Sequence, residues 1–266
     1  MTDELAQRFS GTARLYGTEG LVRLSRAHVC VVGIGGVGSW AAEALARTAI
    51  GRITLIDLDD LCITNTNRQI HALSSTVGQS KVEVMAERIR QINPACQCEV
   101  VEEFLDQDNL QELLDNNYDF VIDAIDSVKA KAAMIAFCRR RKIPIITVGG
   151  AGGQMDPTQI AIADLSKTYQ DPLAAKVRSD LRRFYGFSKN PKRRFDVPCV
   201  FSTEQLSYPQ EDGSVCHQKT QTGDGAMRLD CSGGFGAATV VTATFGFVAV
   251  SRVIDKIVNS NKIGKH

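Results

Sequence analysis

Ala27-His28-Val29-Cys30-Val31-Val32-Gly33-Ile34-Gly35-Gly36-Val37-Gly38-Ser39 is the stretch from which the fold can be read. Apolar, largely β-branched residues run into glycines, and a helical pattern opens directly behind them. That is the order of a strand, a tight turn and a helix N-terminus. In such a unit Gly33 takes the turn, Gly35 lets the backbone approach a phosphate, and Gly38 lets the helix lie close on the strand. The helix, with Trp40, Ala41, Ala44 and Leu45 towards the sheet, points its first free N–H groups at the turn. A second strand, Arg52-Ile53-Thr54-Leu55-Ile56-Asp57, ends in an acid about 20 residues on, where a ribose hydroxyl would be held. A bound nucleotide is the expectation for this turn.

Outward from it, strands and helices alternate. The pattern predicts strand 28–33, helix 37–48, strand 52–57, helix 79–92, strand 98–101, a helix near 107–115, strand 119–123, helix 128–142 and strand 143–148. The last strand ends in a second glycine-rich turn, Gly149-Gly150-Ala151-Gly152-Gly153. This alternation predicts an α/β fold with a Rossmann-like, mostly parallel sheet, helices on both faces and ligands at the carboxyl edge. Residues 1–24 read as helical, interrupted by Gly11 and Gly17. Beyond Pro157 come a strand at 159–163, a helix at 170–185, short strands at 197–201 and 205–208, and a polar stretch, 211–229, expected to be mobile. A final helix begins near Gly236. The run Phe235 to Val250 holds no charge but is shorter than a bilayer span, so burial or a subunit interface is its expected use.

With 44% hydrophobic and 23% charged residues in 266, the chain has the composition of a soluble globular protein with a full core. A net charge of +1 excludes wholesale coating of nucleic acid. The one strong local bias is basic: Lys176, Arg178, Arg182, Arg183, Lys189, Lys192, Arg193 and Arg194. It reads either as a surface for a phosphate backbone or as a solvated face. The opening, Met1-Thr2-Asp3-Glu4-Leu5, has no secretory character, and eight scattered cysteines form no disulfide framework. A cytoplasmic protein with reduced thiols is expected. Cys96 and Cys98 lack partner ligands nearby, and no Cys-x-x-Cys pair occurs, so zinc is not expected.

One set of motifs argues against hydride transfer: Asp57-x-Asp59, Asn65-x-Asn67-Arg68-Gln69, Gly78-Gln79-Ser80-Lys81 and Asp123-Ala-Ile-Asp126-Ser127. A nicotinamide site gains little from Arg68 and Lys81 beside the phosphates. Cleavage between the α- and β-phosphates gains much, because charge accumulates on the bridging oxygens, where fixed cations and a metal held by an aspartate stabilise it. From about Phe9 to Val258 this constellation resembles the E1-like superfamily, the activating enzymes of ubiquitin-like proteins and the bacterial enzymes that adenylate sulfur carriers. Within it the chain is most similar to the tRNA threonylcarbamoyladenosine dehydratases. Asn65-x-Asn-Arg-Gln69-x-His71-Ala72, Gly149-Gly-Ala-Gly-Gly153, Asp171-Pro172-Leu173-Ala174 and Cys231-Ser-Gly-Gly-Phe-Gly236 carry that likeness.

The resemblance implies a single E1-like adenylation domain over 1–266, with a basic insertion or mobile region at about 165–230. It implies an ATP-dependent cyclisation at adenosine 37 in the tRNA anticodon loop, through an acyl-adenylate, with release of AMP and pyrophosphate. ATP and Mg²⁺ are the implied cofactors, with a monovalent cation as an option, and a homodimer is the implied assembly. Gly33, Gly35, Gly36 and Gly38 would form the phosphate turn, with Asp57 on the ribose and Asp59 beside it. Asn65, Arg68, Gln69 and Lys81 would hold the triphosphate, and Asp126 the Mg²⁺ or the reacting end. Asp123 would bind nucleotide or only brace the turn, and His71 reads as structural. Relatives commonly carry an arginine two residues after the aromatic of the N-terminal helix, donated across the dimer. Gly11 stands there, and Arg14, three residues on along the same helical face, is the candidate substitute. Two other classes stay open: an adenylyltransferase or sulfur-relay protein, served by a cysteine-desulfurase or sulfur-acceptor partner and using Cys231, and a non-catalytic nucleotide sensor.

Overall fold

The computed structural model describes residues 3–115, 117–210, 212–217 and 235–260. Two helices, α1 (Asp3–Arg8) and α2 (Ser10–Arg26), lead into the sheet. Helix α2 runs unbroken through Gly11, in contrast to the expectation, and leaves helical geometry at Gly17, where φ is 79° and ψ 161°. A β-carbon resists that left-handed φ, and glycine accepts it. Alternation then follows as expected: β1 (His28–Val32), α3 (Gly38–Arg47), β2 (Arg52–Ile56), α4 (Lys81–Ile92), β3 (Gln97–Val101), α5 (Leu110–Leu114), β4 (Phe120–Asp123), α6 (Val128–Arg141) and β5 (Ile145–Val148). The remainder adds β6 (Ile160–Asp164), α7 (Pro172–Phe184), β7 (Pro198–Ser202), a small hairpin of β8 (Tyr208–Pro209) and β9 (Val215–Cys216), and α8 (Thr239–Val258).

Seven strands form one sheet in the order β3-β2-β1-β4-β5-β7-β6. Every pairing is parallel except β6 against β7. All residues of the central strands β1 and β4 are buried, the burial a parallel sheet covered on both faces demands. One face carries α3, α4 and α8 over Val29, Val31, Ile53, Leu55 and Ile122. The other carries α5, α6 and α7 over Cys30, Val32, Ile56 and Val121. The chain winds outward from β1 through β2 to β3, then returns to place β4 on β1's other side. That reversal opens a crevice between the loops leaving the carboxyl ends of β1 and β4.

Helix α8 packs across α3, α2 and β5. It approaches α3 at Gly246, where an added Cβ would lie 2.7 Å from the Val37 carbonyl oxygen and 3.0 Å from the Ala41 nitrogen. One side of the uncharged run is thus spent on the core, with Val241, Phe245, Ala249 and Val250 buried, while Val240 and Phe247 stay exposed. No helix among the described residues is long and apolar enough to cross a membrane. Three details depart from expectation. Helix α8 begins at Thr239 rather than near Gly236, because the Gly236 carbonyl accepts a bond from Gly153 N at 2.8 Å and holds 235–238 out of the helix. The strand expected at 205–208 shrinks to Tyr208, since Ser207 N donates instead to the Gly153 carbonyl at 2.8 Å. Trp40 does not face the sheet; it turns to α8, edge-on to Phe247. Cys231, and all of the stretch 211–229 except 212–217, lie outside the described residues.

Candidate active site

The glycine turn is placed by two contacts. Gly33 N continues the β1–β2 ladder by donating to the Ile56 carbonyl at 2.8 Å. Gly38, at the start of α3, lies so close to that turn that an added Cβ would sit 1.7 Å from the Gly33 carbonyl oxygen. Gly38 is therefore a packing residue and does not line the cleft, whereas Gly33, Gly35 and Gly36 do. The cleft measures 1310 Å³ and lies at the carboxyl ends of β1, β2, β4 and β5. Helix α3 begins there without a side-chain cap; Ser39 N is taken by the Gly35 carbonyl at 3.1 Å, and the positive end of the helix still favours an anion in the cleft.

Asp57, just past β2, fixes the turn from below. Its Oδ2 accepts from Ile34 N at 2.6 Å and its Oδ1 from Asp59 N at 3.0 Å. Burial raises its pKa, against the pull of Lys81 and of those two N–H donors. Lys81 opens α4, is buried, and reaches Asp59 Oδ2 at 2.7 Å. The strand end and the start of α4 are held together by Leu61 N donating to the Gln79 carbonyl and Gly78 N to the Leu61 carbonyl. The cleft thus already contains a buried ammonium neutralised by an exposed carboxylate.

The segment after β2 supplies the next side chains. Asn65 lines the cleft, but its Oδ1 accepts from Cys62 N at 3.0 Å and so closes a short 3₁₀ turn. Asn67, quoted within the motif but not assigned a role, also lines the cleft and donates through Nδ2 to the Ala237 carbonyl at 3.0 Å. Arg68 donates to the Thr64 carbonyl at 2.8 Å and to Asn67 Oδ1 at 3.1 Å. Its stem covers Gly36, whose hypothetical Cβ would meet Arg68 Cγ at 3.2 Å. Trp40 Nε1 donates to the Arg68 carbonyl at 3.0 Å and so ties this segment to α3. Gln69 lines the cleft beside Gly35.

Beyond β4 the two aspartates of the motif separate. Asp126 is exposed and lines the cleft. Asp123 does not: it is fully buried, with Lys131 Nζ 2.8 Å from Oδ1 and Thr147 Oγ1 donating to Oδ2 at 2.6 Å. The nucleotide role for Asp123 is corrected to a brace that joins β4, β5 and α6. Beyond β5, Asp171 plays a comparable part. It caps α7 by accepting from Ala174 N at 2.8 Å and holds the glycine-rich turn by accepting from Gly150 N at 3.0 Å. Burial raises its pKa. Arg14 is exposed on α2 and does not line the cleft of this chain.

Sequence reasoning missed Phe235, the loop 103–108 after β3, and Lys129, all of which line the cleft. The aromatic directly before Gly236 was the available signal for Phe235; nothing local marks the loop. The basic surface is also wider than the sequence suggested. Arg139, Arg140, Arg141 and Lys142 end α6, which packs on α7, and the Arg140 guanidinium lies 5.8 Å from the Tyr185 ring centroid. Within the original stretch, Arg178 is bonded to Thr168 and Arg182 lies 5.3 Å over Phe195, while Lys176, Arg183, Lys189, Lys192, Arg193 and Arg194 are exposed.

The model of the ThiF family matches residues 9–265. The chain belongs to the ThiF family. It is 63% identical over 257 residues to tRNA threonylcarbamoyladenosine dehydratase of Escherichia coli K12, covering 97% of this chain and 96% of that one. A Bacillus subtilis protein of the same name is 44% identical over 78% of this chain and 79% of its own. Among solved structures, the E. coli tRNA N6-threonylcarbamoyladenosine dehydratase in complex with ATP superposes with a TM-score of 0.86 at 59% identity, covering 96% of each chain. The same enzyme in complex with AMP gives 0.86 as well.

His71 is buried beside the Ile34 backbone, and neither ring nitrogen makes a well-formed hydrogen bond there. Burial, reinforced by the charges of Lys81 and Arg88, takes its pKa from 6.5 down to about 4. The folded protein therefore refuses a proton that the unfolded chain accepts below pH 6.5, so stability present above that pH is lost as pH falls towards about 4. Between pH 7 and pH 5 this one residue is expected to cost about 2 kcal/mol. Urea denaturation at both pH values should show a loss of stability smaller by about that amount in His71→Met than in the wild type. An equal drop in the variant refutes the assignment.

Proposed function

We propose that this chain is an ATP-dependent dehydratase that cyclises N6-threonylcarbamoyladenosine at position 37 of tRNA. The observation that carries the reading is a cleft combining a glycine turn at an uncapped helix N-terminus with Arg68, Lys81 and Asp126, in a chain 63% identical to an enzyme of that name.

The free carboxylate of the threonylcarbamoyl group attacks the α-phosphorus of ATP. Pyrophosphate leaves and an acyl-adenylate forms. A nitrogen or oxygen of the same modification then attacks the activated carbonyl, gives up its proton, and expels AMP as the ring closes. The water lost overall is accounted for by cleavage of ATP to AMP and pyrophosphate. Activation is necessary because hydroxide is a poor leaving group, and the second step is intramolecular, with the effective molarity that implies. No enzyme thiol takes part, so the reading needs neither Cys231 nor a sulfur-transfer partner.

The glycine turn and the N-terminus of α3 bind phosphate through backbone N–H groups. Asp57 serves the turn and the ribose together, since a carboxylate accepting two backbone donors retains lone pairs for a hydroxyl. Arg68 and Lys81, both on the cleft wall, would stabilise the charge that develops on the departing pyrophosphate. On binding, the triphosphate takes over from Asp59 as the partner of Lys81. Asp126 suits Mg²⁺: it is an exposed carboxylate facing the cleft, and Mg²⁺ is ordinarily held by one or two carboxylates together with substrate phosphates. When bound, the ion would neutralise charge on the phosphates.

The basic face of α7 and 188–194, extended by the end of α6, would receive the anticodon arm. The assembly would be a homodimer in which Arg14 of one protomer reaches the other's triphosphate. Its exposed position on α2, and exposed Leu15 beside it, support such a use.

Three measurements test these assignments. Arg68→Ala or Lys81→Ala should lower kcat/KM by roughly ten- to a thousand-fold, with AMP and pyrophosphate as products; wild-type turnover, or ADP and phosphate, contradicts the mechanism. Mixing Arg14→Ala subunits with Asp126→Ala subunits should restore part of the activity each lacks, and a monomer in solution excludes the shared site. Changing Lys192, Arg193 and Arg194 together to alanine should weaken tRNA binding and lower its salt slope by up to about one unit per lost phosphate contact, with ATP binding intact. An unchanged slope marks the segment as an ordinary solvated face.

A further inference from the structure

A second cavity, of 390 Å³, lies behind the ATP cleft, and two residues of its wall, Asp171 and Tyr208, each touch a residue that lines the cleft. Its walls include Gln170, Asp171, Arg178, Gln205, Tyr208 and His217. Asp171 separates it from the glycine-rich turn of the cleft, through its bond to Gly150 N. Tyr208 packs against Phe235, a cleft residue, with ring centroids 5.1 Å apart. Nothing in the adenylation chemistry uses these side chains.

Their chemistry is specific in kind. Tyr208 and His217 are flat rings, and Arg178 is a flat cation whose Nη1 is held by Thr168 Oγ1. Gln170 and Gln205 carry amides that both donate and accept. Gln205 is steadied by donating to the His217 carbonyl at 3.4 Å, and the His217 ring by Ser207 Oγ at 3.5 Å. Aromatic faces for stacking, amides for base edges and an arginine for the adjoining phosphate are what recognition of an unstacked nucleotide requires. The acid on the wall does not repel it, because both Asp171 oxygens already accept backbone N–H bonds and Arg178 lies close by. The cavity also sits at the start of α7, so a strand lying on that helix's exposed basic residues runs towards it.

We infer that this cavity is a subsite for the base of the nucleotide next to the modified adenosine, stacked on Tyr208. The inference rests on tRNA being the substrate. Holding the neighbour there unstacks the adenosine beside it, and the Tyr208–Phe235 pair forms the partition the backbone crosses as the modified base enters the cleft. Tyr208 is on this account a specificity residue for RNA and takes no part in the adenylation.

The test uses an anticodon stem-loop bearing the threonylcarbamoyl group, with 2-aminopurine in turn at each neighbour of the modified adenosine. With wild-type protein, fluorescence at one of the two neighbours should be quenched on binding. Tyr208→Ala should abolish that quenching and weaken binding about ten-fold, the scale of one lost stacking platform, with ATP affinity unchanged. Tyr208→Phe, which keeps the ring, should restore both. Gln205→Ala should leave quenching in place and reduce the preference among bases at that position. Unchanged affinity and quenching in Tyr208→Ala, with the wild type converting the stem-loop, overturns the subsite alone. Failure of the wild type to convert the stem-loop or full-length modified tRNA overturns the reading of the substrate and the subsite with it.

Discussion

The arrangement depends on one close approach. The first residue of α3 lies against the carbonyl of Gly33, leaving no room for even a methyl group at position 38. Because helix and turn touch backbone to backbone, the N-terminus of α3 aims into the cleft from a fixed point, and the cleft walls take their places around it. Gly246 repeats the device one layer out, letting α8 lie on α3. Two contacts made by residues with no side chain set the spacing of three layers: β1, α3 and α8. An interior packed to crystal-like density cannot relax around an added atom at such points without moving a whole helix.

Charge is placed with the same economy. Lys131 and Asp123 form an ion pair sealed from water beneath the floor of the cleft, with Thr147 completing the carboxylate's bonding. A buried pair of this kind is weak evidence for stability, since desolvation offsets much of its attraction. What it does do is set positions: β4, β5 and α6 meet at one carboxylate, three residues before Asp126. Lys81 and Asp59 are the opposite case, a pair with one member buried and the other in solvent. Such a pair can exchange partners when a stronger anion arrives, and the anion expected here is a triphosphate.

Much of this was legible in the sequence because the informative features are local. Glycines at fixed offsets, a strand ending in Asp57, and the Gly78-Gln79-Ser80-Lys81 motif at the head of a helix are all set within a few residues. Helix boundaries from α3 to α7 follow the apolar spacing for the same reason. The failures were non-local. Nothing near Asp123 announces that Lys131 and Thr147 will enclose it, and that enclosure decides its role. The later start of α8 comes from a bond between Gly153 and Gly236, 83 residues apart in sequence. Phe235 and the loop 103–108 join the cleft through topology alone. The charge bias of α7 was visible, but its continuation along the end of α6 appears only when the two helices are seen side by side.

The bond from Trp40 to the Arg68 carbonyl has a practical consequence. The chain contains one tryptophan. That indole is hydrogen-bonded to the backbone of Arg68, whose guanidinium is proposed to serve the phosphates, and it rests edge-on against Phe247 of α8. Its emission is therefore a built-in optical gauge of the Arg68 segment. No label is needed to follow how that segment settles as nucleotide enters, and no second indole obscures the signal.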